Sequence, residues 1–171
     1  IQSIFGEQVL AIDAKDGVLL LRISGKGSRG VLAVGKDPSR LSIEMATTLG
    51  TAGQLSGTIA EAHNGVLAMN ANGFQDPDGK GSGGQLAGWC MAQGEEHGYH
   101  FGGDVYQRIE LSENGFDCRI VPASDPVGEG TYNAVEFTPV LIRDGEKIED
   151  SFWTGEQPRA CFGTSTQGIY M

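Results

Sequence analysis

Two asparagines and one arginine are the side chains in this sequence best suited to gripping a polar or anionic ligand. The asparagines lie in Val66-Leu67-Ala68-Met69-Asn70-Ala71-Asn72-Gly73-Phe74-Gln75-Asp76, where an apolar run feeds into two amides, a glycine and an acid. Strand interiors are poor in Asn, so this pattern reads as a buried strand over residues 66–70 whose tip carries polar groups into a cleft. Alternation points Asn70 and Asn72 to one face and Ala71 to the other. Gly73 lets the backbone bend or a ligand approach closely. The same residues also suit an Asx-turn that closes a strand without any ligand.

The arginine is Arg159, in Gln157-Pro158-Arg159-Ala160-Cys161-Phe162-Gly163. Its fork matches two phosphate or carboxylate oxygens. Set in a small apolar run, it needs an acceptor, either a ligand or one of the chain's 22 acids. With a formal charge of -10, an anionic substrate needs a local cation, and Arg159 is the best-placed candidate.

Other chemistry-bearing stretches carry simpler explanations. Gly79-Lys80-Gly81-Ser82-Gly83-Gly84 could present backbone N–H groups to an anion, but it has neither a dinucleotide fingerprint nor a P-loop ending and reads as a flexible turn. Glu95-Glu96-His97-Gly98-Tyr99-His100, with Asp104 beyond it, holds metal-capable groups. Two His three apart share a face only on a helix, which the glycines oppose, so a solvated loop is expected and no metal site is assigned. His63 suits the end of a short helix. There is no nucleophile elbow, and Asp76, Asp78 and Glu136 are carboxylates with no glycosidase-like pairing visible in the sequence.

The elements that must position these residues are mostly strands. Val9-Leu10-Ala11-Ile12 and a second run over 18–23 flank the hairpin signal Lys15-Asp16-Gly17, and a third strand at 31–34 follows a flexible link over 25–30. Asp37-Pro38 opens a new element, since Asp caps and Pro fits a first helical position. Leu41, Met45 and Leu49 have helical spacing, although Thr47, Thr48 and nearby glycines oppose a long helix. A short helix is expected at 58–63, with Thr58 and Glu61 as a capping box and Asn64-Gly65 as its stop, delivering an αβ step into the 66–70 strand. Hairpins are expected around Glu113-Asn114-Gly115 and Asp144-Gly145, and Gly168-Ile169-Tyr170-Met171 resembles the opening of a strand. The expected fold class is α+β or mixed α/β, strand-rich with few short helices.

A chain of 171 residues fits one domain. Its 27 glycines, without a period, indicate many tight turns. The acidic balance argues against a nucleic-acid or membrane surface, and no apolar run is long enough to span a bilayer. Cys90, Cys118 and Cys161 lack metal spacing and are expected to be buried free thiols.

Several stretches, in order, resemble the phosphodiester glycosidase family, typified by the N-acetylglucosamine-1-phosphodiester α-N-acetylglucosaminidases. They are Asp37-Pro38-Ser39-Arg40, Gly57-Thr58-Ile59-Ala60-Glu61-Ala62, Ala68-Met69-Asn70-Ala71-Asn72-Gly73-Phe74, Thr138-Pro139-Val140-Leu141-Ile142-Arg143-Asp144-Gly145 and Pro158-Arg159-Ala160-Cys161-Phe162-Gly163. The resemblance divides the chain into an N-terminal β-hairpin segment, residues 1–36, and the N-terminal part of a family-like domain, residues 37–171. The family's N-G-G-F-F or N-A-G-F-F stands here as Asn70-Ala71-Asn72-Gly73-Phe74, with Asn70 and Phe74 in place and a different centre, and Ala160 stands where threonine is usual. The family's later N-L-D-G-G-x-S motif does not occur within these residues, so a C-terminal segment or second chain is expected to complete the site.

What the resemblance implies is a hydrolase of sugar-1-phosphodiesters, acting on exopolysaccharide or cell-surface glycans and hence extracellular. Arg159 would hold the phosphate, and Asn70 and Asn72 would orient sugar or phosphate. Asp76 or an acid outside this chain would serve as base or nucleophile, and Gly73, Phe74 and Gly163 would line the substrate. The expected partner is a carbohydrate or sugar-phosphate ligand; no cofactor is assigned. A non-catalytic carbohydrate- or wall-binding domain, or a structural domain of a surface assembly, is the alternative.

Overall fold

The computed structural model describes residues 7–25, 27–75, 83–101, 106–113, 118–148, 158–165 and 168–170. It opens with β1 (Gln8–Asp13), β2 (Val18–Gly25) and β3 (Ser28–Gly35), an antiparallel meander. The first turn forms where Asp-Gly calls for it. Gly17 takes φ +68°, and Asp13 Oδ1 accepts the N–H groups of Lys15 and Asp16 at 3.0 Å each. Those bonds, led by the one from Asp16, hold the Asp13 carboxyl below the usual range. The 25–30 link is a tight hairpin, not a flexible connection, because pairing runs through to Gly25 and Ser28 and Gly27 supplies φ +80°.

Asp37 opens a 3-10 turn over Pro38–Arg40, its carboxylate accepting from Ser39 N at 3.0 Å with Pro at the first position, as expected. Leu41, Met45 and Leu49 do not form a helix. Thr47 N–H and Oγ1 both donate to Gln54 Oε1, Thr48 Oγ1 donates to Ala52 O, and Thr51 Oγ1 donates to Thr48 O. These local bonds compete with a helical backbone and fold the segment into turns.

The helix α1 (Ser56–Ala62) begins two residues before Thr58, with Leu55 in the capping position and no side-chain cap. The Thr58–Glu61 capping box is therefore not made. Its end follows the sequence: Asn64 takes φ 56°, and Gly65 N–H donates to Ala60 O at 2.7 Å. The expected strand at 66–70 is absent. That stretch is irregular, and Val66 is exposed. Pairing starts only at β4 (Gly73–Gln75), which meets β5 (Gln85–Ala87) in antiparallel register.

The second large sheet holds the core. It contains β6 (Trp89–Ala92), β7 (Glu95–Gly98), β8 (Gln107–Ser112), β9 (Cys118–Pro122) and β10 (Thr131–Phe137), in the order β7-β6-β10-β8-β9. All four residues of β6 are buried, and so are four consecutive residues of β10, which means both faces of these strands are covered. Trp89, Met91 and Ala134 pack together with Val127 against them. The chain then forms the β11 (Ile142–Arg143) and β12 (Glu146–Lys147) hairpin, where Asp144 and Gly145 take φ 52° and 82°. Last come β13 (Gly163–Ser165) and β14 (Gly168–Tyr170); β14 pairs with β3, so the first sheet runs β1-β2-β3-β14-β13.

The fold class differs from the expected α+β or mixed α/β. Among the described residues there are fourteen strands, one α-helix of 7 residues and one 3-10 turn, a mostly-β domain. The segments read as helical or as an αβ step are turns and irregular chain, because side-chain bonds and missing strand partners override their periodicity. No helix of the described residues is long and apolar enough to cross a membrane.

Candidate functional site

Three glycines let the backbone crowd together at the edge of the second sheet. A Cβ on Gly73 would lie 2.6 Å from the Phe137 ring, and one on Gly88 would lie 2.6 Å from the Phe101 ring and 3.5 Å from Asn72 Nδ2. A Cβ on Gly98 would run into the Gly88 carbonyl oxygen, the same oxygen that accepts Tyr99 N–H at 3.2 Å. Gly88 and Gly98 take φ +99° and +77°, conformations that other L-residues resist. The result gathers Asn72, Phe101, Phe137 and the start of β6 in one place.

Trp89 is the centre of this cluster. Its ring is 2% exposed, its carbonyl accepts from Asn72 Nδ2 at 2.9 Å, and its Nε1 donates to Glu96 Oε2 at 3.1 Å. The His100 ring stacks on it with centroids 4.7 Å apart and planes at 19°. The Arg108 guanidinium carbon is 5.7 Å from the indole centroid.

Glu136 lies behind the histidine with no solvent exposure. Oε2 is 2.7 Å from His100 Nδ1, and Oε1 accepts Phe101 N–H at 3.3 Å. The His100 side chain, by contrast, is 45% exposed. A buried carboxylate thus fixes one nitrogen of a partly exposed ring.

Nearby, Arg108 and Glu110 form a buried pair at 2.7 Å. Arg108 also donates to Ala123 O and Asp125 O, while Glu110 accepts from Gly128 N and Thr131 Oγ1. These groups bind one another and the backbone, which makes the pair part of the frame. Asn133 has the same office, its Oδ1 accepting Ile43 N–H and Gln93 N–H.

Of the residues singled out in the sequence, Asn72 and Gly73 enter the cluster. Asn72 Oδ1 is buried and has no hydrogen-bond partner among the described residues. Asn70 is exposed on the irregular stretch, and Phe74 is 47% exposed on β4. Arg159 is exposed in the segment that enters β13 and has an interaction of its own, while Gly163 begins β13. The strand that Gly163 begins is in the first sheet, whereas Trp89 is in the second. Asp76 lies outside the described residues.

The 95–104 stretch is not simply a solvated loop. Glu95–Gly98 is β7, and His100 is pinned between Trp89 and Glu136; Asp104 lies outside the described residues. No group of three or more metal-capable side chains occurs among the described residues. Gly83 and Gly84 take positive φ, and the Gly84 carbonyl accepts Gly50 N–H, which fits a turn. His63 closes α1 and meets Glu44 at 3.2 Å. Cys90 is buried and free as expected, but Cys161 is exposed.

The sequence singled out no role for Trp89, and it offered His100 as a metal-capable loop residue and Glu136 as an unpaired carboxylate, not as partners. A signal was present in Tyr132-Asn133-Ala134-Val135-Glu136-Phe137, where an acid interrupts an apolar strand just as Asn72 follows one. Exposed aromatics flank the cluster: Phe74, Tyr99 at 52% and Phe137 at 39%. Tyr99 meets Phe101 edge-on, and Phe101 stacks on Tyr106. No family model, curated protein or solved structure matches this chain.

Proposed function

We propose that this chain is a glycoside hydrolase that cleaves sugar-1-phosphodiester bonds in exported polysaccharide or glycan substrates, outside the cell. The observation that supports it is the meeting of Asn72, Trp89, His100 and Glu136 beside the exposed rings of Phe74, Tyr99 and Phe137. A sugar presents C–H faces that favour flat apolar rings and hydroxyls that need fixed polar partners. The cluster offers both.

The bond in question expels a phosphate monoester, a good leaving group, so little proton donation to it is required. Orientation and charge stabilisation carry more of the work. In this reading Arg159 holds the phosphate, and Asn70 and Asn72 orient the sugar, with Gly73, Phe74 and Gly163 lining the substrate. The exposed aromatics equally favour a second reading, a non-catalytic carbohydrate- or wall-binding domain.

The test uses the intact protein and a panel of methyl phosphodiesters of hexose-1-phosphates and N-acetylhexosamine-1-phosphates. Release of methyl phosphate, followed by phosphorus NMR, is expected for at least one sugar and is expected to fall at least tenfold in Arg159→Ala. Saturable binding without release would select the second reading. Neither binding nor release would end both.

A further inference from the structure

We infer that His100 is the general base that activates the hydrolytic water, and that Glu136 is the residue that positions it. This rests on the hydrolase reading above.

Glu136 Oε1 already accepts Phe101 N–H at 3.3 Å, so the carboxylate is acting as an acceptor on one oxygen. Acting the same way on the other, 2.7 Å from His100 Nδ1, it places the imidazole proton on Nδ1. The lone pair of the neutral ring then sits on Nε2. Nδ1 faces a carboxylate with no exposure and the His100 side chain is 45% exposed, and we take Nε2 as the atom that meets water. Stacking on Trp89 at 4.7 Å fixes the ring plane. Asn72 donates to the carbonyl of the same Trp89, which ties its amide to the residue that His100 stacks on.

A group of this kind matches what the proposed bond cleavage lacks. The phosphate departs without needing a strong acid, but water is a poor nucleophile until a base takes its proton. Water's oxygen forms the bond to the anomeric carbon as the bond from that carbon to the phosphate oxygen breaks with its electron pair. His100 Nε2 takes one water proton and becomes imidazolium, stabilised by Glu136. The products are the free sugar and the phosphate monoester anion, and the imidazolium returns its proton to solvent.

Among the described residues, the charged and titratable groups near the ring are Glu136 from β10, with Glu96 from β7 and Arg108 from β8 against Trp89 and Tyr99 and Tyr106 around Phe101. Since the neutral ring is the active form, kcat falls on the acid side of the profile.

The experiment uses the intact protein, the methyl phosphodiester it turns over fastest, and the variants His100→Ala, Glu136→Gln and Asp76→Asn. His100→Ala should lower kcat by about 10²–10⁴-fold with little change in KM, remove the acid limb, and recover in part on addition of imidazole. Glu136→Gln should lower kcat less and shift that limb. Nitrogen NMR of the wild-type ring, which does not depend on turnover, should show the proton on Nδ1. Wild-type turnover with His100→Ala retaining both rate and acid limb would overturn the assignment and leave the hydrolase reading standing. So would loss of the limb in Asp76→Asn alone. Absence of any wild-type turnover would remove both.

Discussion

The carboxylate of Glu136, fully buried in β10, meets Nδ1 of the half-exposed His100 at 2.7 Å. That contact joins the covered interior of the second sheet to a side chain that reaches solvent. The histidine is held on one edge by an acid and on one face by Trp89, so its ring has little freedom left to lose when a ligand arrives.

Removing the acid should be felt in stability as well as in chemistry. Glu136→Ala strands Phe101 N–H, and a buried donor without its partner costs about 1–3 kcal/mol. Glu136→Gln keeps an acceptor oxygen and should lose less. Urea unfolding with an unchanged slope and an ordered fall in midpoint, wild type above Gln above Ala, checks this. Equal midpoints would show that the carboxylate is not packed as described.

The Arg108–Glu110 pair should behave as a frame element. Arg108→Met leaves a buried carboxylate without its cation and should cost about 3–5 kcal/mol. Adding Glu110→Gln removes that charge and should recover part of the loss, although the Ala123 and Asp125 carbonyls remain without the guanidinium. A double-mutant cycle on denaturation midpoints measures the coupling. Strict additivity would contradict it.

Gly98 and Gly17 both adopt positive φ, yet they should respond differently to alanine. At Gly17 nothing lies within 4 Å of the added carbon, leaving only the left-handed backbone penalty of about 1–2 kcal/mol. At Gly98 the same carbon meets the Gly88 carbonyl oxygen, so the chain there must move apart. Gly98→Ala should therefore show the larger drop in melting temperature and loosen the pairing of Gly98 with Trp89, on which His100 stacks.

Burial pushes the Cys90 thiol up to about 11. In the folded protein it should resist iodoacetamide at neutral pH while the exposed Cys161 reacts, which peptide mass mapping can follow. The ordinary thiol value is 9.0, so the unfolded chain ionises first as pH rises. Stability contributed by the buried neutral thiol is intact below about pH 9 and is lost progressively as pH rises toward 11.

Turns were the part of the fold most legible in the sequence. Asp16-Gly17, Asn64-Gly65 and Asp144-Gly145 all form where they were read, since positive φ is a local demand that local residues meet. Strand 66–70 and a capping box at Thr58 did not form, because the first depends on a distant partner and the second was displaced by a helix starting at Ser56. Asn72 could be picked out because its polarity clashes with its apolar approach. His100 could not, as its partners Trp89 and Glu136 are 11 and 36 positions away and meet it only through sheet pairing.

The central claim is that a sugar-phosphate binds at the exposed side of His100, beside the rings of Tyr99 and Phe137. Its most direct test is a proton–nitrogen NMR titration of the intact protein with the methyl phosphodiester panel, following the Trp89 indole N–H, the His100 ring and the Asn72 side-chain amide. Saturable shifts largest at these three groups, with those of Trp89 and His100 lost in Asn72→Ala, are the predicted result. Shifts confined to other surfaces, with these three resonances unmoved at saturation, would contradict the account.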